Sequence, residues 1–166
     1  EHSAYSGSHS GTVADGGNLK LAGGSNIDDW PDIDSVVDWD FEGGVVLSGT
    51  YDFAAGIDLG TVKRVRLQST IAASIVNVLD KIDSRLGNID DWEDFDGTAG
   101  ASADAQVWFR ETDDDPAGAP TWSAWNRLDA AEVEARGLDF QARLTTADAA
   151  YNIHVSQLSV SVDEVT

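Results

Sequence analysis

The sequence predicts a mainly β chain, an antiparallel sandwich of two layers with one short helix over residues 75–86, and three runs carry that expectation. Ala105, Val107 and Phe109 alternate with Gln106, Trp108 and Arg110. After a turn-rich connection, Trp122, Ala124 and Asn126 alternate with Ser123, Trp125 and Arg127. The cleanest run places Leu138, Phe140, Ala142 and Leu144 on one face and Asp139, Gln141 and Arg143 on the other. Period-two patterns of this kind are what a sheet with one dry and one wet side requires. Two packed layers are the economical way to bury such stripes.

Taken in order, residues 1–16 are rich in Ser, Gly and small polar types and read as a linker or N-terminal extension, with His2 and His9 solvated in it. A single sandwich domain is expected over 17–166, opening with a short strand near Asn18–Ala22. The stretch Asn26-Ile27-Asp28-Asp29-Trp30-Pro31-Asp32-Ile33-Asp34 recurs as Asn88-Ile89-Asp90-Asp91-Trp92-Glu93-Asp94-Phe95-Asp96, identical at seven of nine positions. Its carboxylates are hard oxygen ligands suited to calcium, with Asp28, Asp32, Asp90 and Asp94 as the candidate ligands. Neither copy has the spacing of a helix-loop-helix calcium site. The competing reading makes the Asp and Asn residues turn caps, while Trp30, Ile33, Trp92 and Phe95 plug the ends of the core.

From Val45 strand patterns take over, through Tyr51 and Phe53, then Ile57-Asp58-Leu59-Gly60, then a long run in which Val65, Leu67, Ser69 and Ile71 alternate with Arg64, Arg66, Gln68 and Thr70. Lys63, Arg64, Arg66 and Lys81 form a basic spot that is expected to pair with carboxylates on neighbouring strands. Ile75, Leu79, Ile82 and Leu86 are spaced for one helical stripe with Gly87-Asn88 as a stop, a buried strand over 74–79 being the alternative. The last run, Tyr151–Val162, changes phase. Ile153 and Val155 share one parity and Leu158, Val160 and Val162 the other, so a bulge is expected at Ser156 or Gln157, with His154 pointing away from the core.

Composition narrows the function. The 166 residues carry 30 acidic against 10 basic side chains, a formal charge of −20, which argues against polyanion binding through a basic patch and removes nucleic acid from the expected partners. Such an acidic surface suits a salty medium, where the screening length is a few Å near ~1 M salt. There is no Cys, hence no disulfide or thiolate site, and no apolar run approaches the ~20 residues of a membrane-spanning helix. A chain with no Met that opens Glu1-His2-Ser3 reads as an excised piece of something longer. With three His, no Cys and no Gly-x-Ser-x-Gly, phosphate-loop or dinucleotide pattern, no nucleophile and base stand out, and catalysis is not expected.

The strand and turn Val107-Trp108-Phe109-Arg110-Glu111-Thr112-Asp113-Asp114-Asp115-Pro116, the Thr121-Trp122-Ser123-Ala124-Trp125 segment, Ala135-Arg136-Gly137-Leu138-Asp139-Phe140-Gln141 and the closing Asn152–Val160 together resemble the C-terminal β-sandwich of tail-tip and tail-fibre proteins of tailed phages and gene transfer agents, from about Gly43 onward. The resemblance implies a jelly-roll or discoidin-like fold, a place on the virion tail, homotrimeric assembly beside other tail proteins, and attachment to a host surface polysaccharide. It brings no catalytic motif.

Discoidin-like sandwiches take ligands in loops at one end, and sugars are recognised by an aromatic ring face together with Asp, Asn and Arg. The candidate ligand residues are therefore Asp113, Asp114 and Asp115 in the turn, Trp122 and Trp125 after it, and Trp108 on the polar parity of its strand. Trp122 and Trp125, three apart on an extended strand, are expected on opposite sides, with Trp125 the open one. Two further functions fit the same sequence: a purely structural tail collar or trimerisation domain, and a carbohydrate-binding module of a secreted enzyme.

Overall fold

A computed structural model describes residues 5–23, 44–78 and 102–165. Nine strands are found among them: β1 (Ser8–Ser10), β2 (Thr12–Asp15), β3 (Asn18–Leu21), β4 (Ser48–Asp52), β5 (Ile57–Asn77), β6 (Ala103–Thr112), β7 (Asn126–Arg127), β8 (Ala130–Thr146) and β9 (Tyr151–Glu164). Every pairing is antiparallel, and no helix occurs among the described residues. The all-β, antiparallel expectation holds.

β8 is the spine. Leu138, Phe140, Ala142 and Leu144 are buried, and the intervening residues face outward. One edge of its C-terminal half carries β4, in register from Ser48↔Thr145 to Asp52↔Gln141, while β6 runs along the other from Ala103↔Thr146 to Thr112↔Gly137. Its N-terminal half pairs with β5. The opposite edge of β5 pairs with β9 from Val65↔Glu164 to Asn77↔Tyr151, and β3 follows through Leu19↔Val155. Val107 and Phe109 from β6, Val65 and Leu67 from β5, and Ile153, Val155 and Leu158 from β9 complete the interior.

The strand order β1-β4-β8-β5-β9-β3-β2 begins and ends on the same stretch of chain. β1 pairs with β4 and β2 with β3, and only Gly11 lies between them, so this segment bridges the two free edges and nearly closes the sheet into a barrel. Gly11 adopts φ +67°, the left-handed conformation that lets the chain leave one strand and join the other. The opening residues are thus no linker from Ser8 onward. Tyr5 is 2% exposed and its hydroxyl donates to the Val155 carbonyl at 2.8 Å, while its ring meets Tyr51 edge-on at 5.8 Å. His9 is exposed, as expected of a solvated histidine, but it is held in place: Nε2 donates to the Tyr5 carbonyl at 2.9 Å, Nδ1 lies 3.0 Å from Thr12 Oγ1, and the ring lies 4.9 Å from that of Tyr51. Composition misreads this segment because one aromatic anchor and backbone pairing, not a hydrophobic stripe, hold it. His2 lies outside the described residues.

The expected helix does not begin at Ile75. β5 continues through Asn77, and Ile75 lies opposite Ile153, a position that suits the β-branched Ile75 and Val76 better than a helix start. The remainder of the 75–86 span from Leu79 onward, with Lys81, lies outside the described residues. The bulge is present. Ala72 opposes Gln157 and Ala73 opposes Val155, leaving Ser156 as the extra residue, and both parities of β9 thereby reach the core. His154 sits half-buried on the side away from Ile153 and Val155. The basic spot on β5 pairs as expected: Arg64 and Arg66 share the two oxygens of Glu132 at 2.7 and 2.8 Å, and Lys63 reaches Glu164 at 2.9 Å.

If the N-terminal segment is part of the barrel wall, Tyr5→Ala lowers the unfolding free energy in a urea titration by about 3–5 kcal/mol, as for a buried aromatic. Tyr5→Phe, which removes only the hydroxyl bound to Val155, costs about 1 kcal/mol. A linker residue would leave the midpoint unchanged within error.

Candidate functional site

The outward face of β6 and β8 gathers the polar and aromatic residues that the core does not use. On β6, Trp108 and Arg110 share this face, two residues apart and so about 7 Å along the strand. The register sets Gln141 opposite Trp108 and Asp139 opposite Arg110. Arg110 donates from Nε at 3.0 Å and from Nη2 at 2.7 Å to Oδ2 of Asp139.

After the turn that follows Thr112, the chain returns along the outer edge of β6. The Ser123 N–H donates to the Glu111 carbonyl at 2.8 Å, the Glu111 N–H donates to Ser123 Oγ at 3.0 Å, and Thr112 Oγ1 donates to the Thr121 carbonyl at 3.0 Å. Only Asn126 and Arg127 pair as a regular strand there, so the second expected run contracts to two residues. Without regular pleating the opposite-sides argument for Trp122 and Trp125 fails. Both rings are half-buried, and both pack on Arg110, whose guanidinium carbon lies 4.8 Å from the Trp122 centroid and 4.7 Å from that of Trp125. Neither is a core residue; both lie in the irregular connection between β6 and β7, where it runs beside the outer edge of β6.

A second stack adjoins the first. The Arg143 guanidinium carbon lies 3.9 Å from the ring centroid of Trp108, whose indole N–H is buried without a hydrogen-bond partner among the described residues. Arg143 Nε donates to Gln141 Oε1 at 2.7 Å, and Gln141 Nε2 donates to Asp52 Oδ1 on β4 at 2.7 Å. The face therefore presents three Trp edges and two oriented guanidinium groups.

The three turn aspartates separate by role. Asp114 Oδ2 accepts from the Thr121 N–H at 2.8 Å, and Asp115 Oδ1 accepts from the Ala117 N–H at 3.0 Å. Asp115 also pairs with Arg136 at 2.9 Å. These two build the turn, which leaves Asp113, exposed, as the member of the trio with no side-chain bond among the described residues. Glu111, which the sequence reading did not single out, lies beneath it. One of its oxygens is buried without a hydrogen-bond partner among the described residues, and burial, helped by the charge of Asp113, pushes its carboxyl above the usual range. Arg110 and Asp139 were also missed, although their outward parity was visible; what was not visible is that they face each other across the ladder.

The calcium candidates Asp28, Asp32, Asp90 and Asp94 lie outside the described residues. Among the described residues no group of three or more potential metal ligands converges, and no helix is long and apolar enough to cross a membrane. A cleft of about 250 Å³ between Phe53, Ile57, Phe140 and Val160 and another of about 400 Å³ between Ile75, Asp104 and Ile153 contain none of the three tryptophans.

Comparison with protein-family models, with curated proteins and with solved structures finds no match for this chain.

The state of Glu111 has a measurable consequence. Its folded form holds a proton to higher pH than the unfolded form does, so this group favours the folded chain less as pH rises past the ordinary carboxylate range. Glu111→Gln should accordingly raise the melting temperature at neutral pH, with the gain shrinking to nothing as the pH is lowered into the range where the carboxyl is protonated in both states.

Proposed function

We propose that this chain is a non-catalytic attachment module, carried on the tail of a virus-like particle, that docks a host cell-surface polysaccharide against the outward face of β6 and β8. The observation that carries the reading is that Trp108, Trp122 and Trp125 stand together outside the core on one face, beside Arg110, Arg143 and Asp139. These large aromatics lie outside the hydrophobic core. They supply flat apolar surface for the C–H face of a sugar ring, while neighbouring guanidinium and carboxylate groups read hydroxyls. Self-association into a trimer and contact with other tail proteins belong to the same proposal.

A second reading is a structural collar. It is favoured by the way Arg110 is held between two rings and a carboxylate, an arrangement that also serves as a rigid strut. A carbohydrate-binding module of a secreted enzyme would use the same face in the same way.

A glycan array separates these readings. The attachment module binds a defined subset of surface polysaccharides, and Trp125→Ala weakens that binding about tenfold or more while circular dichroism stays unchanged, because Trp122 and Asp139 still hold Arg110. Absence of binding to any surface glycan leaves the collar.

A further inference from the structure

Seven of the eight described basic side chains lie within 4.0 Å of a carboxylate, as a formal charge of −20 would lead one to expect. The eighth is Arg143. Its position is nonetheless fixed, by the Trp108 ring beneath it and by the Nε bond to Gln141, which is itself anchored on Asp52. Directly across the two ladders stand Thr50 on β4 and Gln106 on β6, both neutral. The terminal Nη1 and Nη2 groups make no hydrogen bond and no ion pair among the described residues, and the unpartnered indole N–H of Trp108 lies under the same guanidinium. Carboxylates stand nearby, Asp52 bonded to Gln141 and Asp104 to Gln106 at 2.6 Å, but among the described residues none meets these guanidinium and indole donors.

We infer that Arg143 is the anchor for a carboxylate, so that the polysaccharide taken by this face is an acidic one, bearing uronic or sialic acid residues. This rests on the attachment reading above and specifies its ligand class. An oriented guanidinium presents parallel N–H donors in the plane and spacing of a carboxylate. Stacking on an indole holds it in place without consuming its charge, and it removes water from one side, so an ion pair formed there is screened less than one in open solvent. A neutral sugar would leave the fork bonded to water alone. The acidic sugar brings the acceptor for Arg143 and hydroxyl donors for the remaining oxygen of Asp52. The overall charge of the chain opposes an anionic ligand at long range, and that repulsion fades at about 1 M salt, where the screening length is about 3 Å.

The test compares a uronic acid oligosaccharide with the same oligosaccharide after its carboxyls are reduced to alcohols, alongside a sialylated one, by calorimetry at about 1 M salt on the whole chain. The wild-type chain prefers the acidic forms about tenfold or more. Arg143→Gln abolishes the preference while retaining the affinity for the reduced form, and Arg143→Lys, which keeps the charge but not the fork, retains part of it. Trp125→Ala weakens both forms alike. Equal wild-type affinity for acidic and reduced forms, or a preference that survives Arg143→Gln, overturns this inference and leaves the attachment reading intact. Binding of neither form overturns both. If Arg143→Gln instead dissociates an oligomer in sedimentation while sugar affinity is unchanged, the fork belongs to a carboxylate on a second copy of the chain, and the inference fails.

Discussion

The alternation along β8 is the constraint on which both the core and the candidate site depend. Each inward residue from Leu138 to Leu144 is buried against other strands, and each outward one, Asp139, Gln141 and Arg143, is part of the exterior face. A slip of one residue in this strand exchanges the two sets, burying two charged side chains and exposing four apolar ones. Such a slip is resisted from both edges, since β4 and β6 pair with the same residues of β8 from opposite sides. Gly137 adds a local pin: a side chain there would run into the Pro116 ring and approach the Thr112 methyl to 2.8 Å, so the turn after β6 closes down on this position.

A sheet of this length has free edges to manage, and the chain does so with its own beginning. The segment Ser8–Asp15 offers little apolar surface, yet it satisfies β4 on one side of Gly11 and β3 on the other. Thr12 Oγ1, which donates to the Thr50 carbonyl at 2.8 Å, ties the crossing point to β4. Covering an edge with a short polar strand protects it from pairing with other chains at small cost in buried area. Tyr5 then adds the apolar anchor that the strands lack.

What could be read in the sequence follows from the range of the physics involved. The stripes of β8, the Val65 and Leu67 stripe of β5, and the phase change at Ser156 are local patterns with period two, and each survives folding unaltered. The strand nature of Ser8–Asp15 was hidden because its pairing is made by backbone and its burial by a single ring. Ile75 fitted a helical stripe as well as a strand, since a spacing of four is common to both periodicities, and its partner Ile153 is far away in sequence. The run from Trp122 to Arg127 alternates as a regular strand does, but the tertiary bonds of Ser123 and Thr112 override that pleat and turn both rings to Arg110. The roles of Asp114 and Asp115 likewise depend on backbone N–H groups that no side-chain pattern reveals.

The two arginines of the exterior face show how register assigns chemistry to identical side chains. Arg110 and Arg143 both stack on tryptophan, and both project from the same side of adjacent strands. Arg110 meets Asp139 across the ladder and is neutralised at 2.7 Å, whereas Arg143 meets Gln106 and Thr50 and keeps its charge. Asp139 opposite one arginine, and Gln106 and Thr50 opposite the other, thus decide which guanidinium is ion-paired and which meets no carboxylate among the described residues. In a chain where carboxylates outnumber cations three to one, a neutral residue opposite an arginine is the less common outcome, and it is what gives this part of the surface a positive group at all. The tryptophan beneath supplies the orientation that a carboxylate supplies elsewhere, without consuming the charge that makes the group useful.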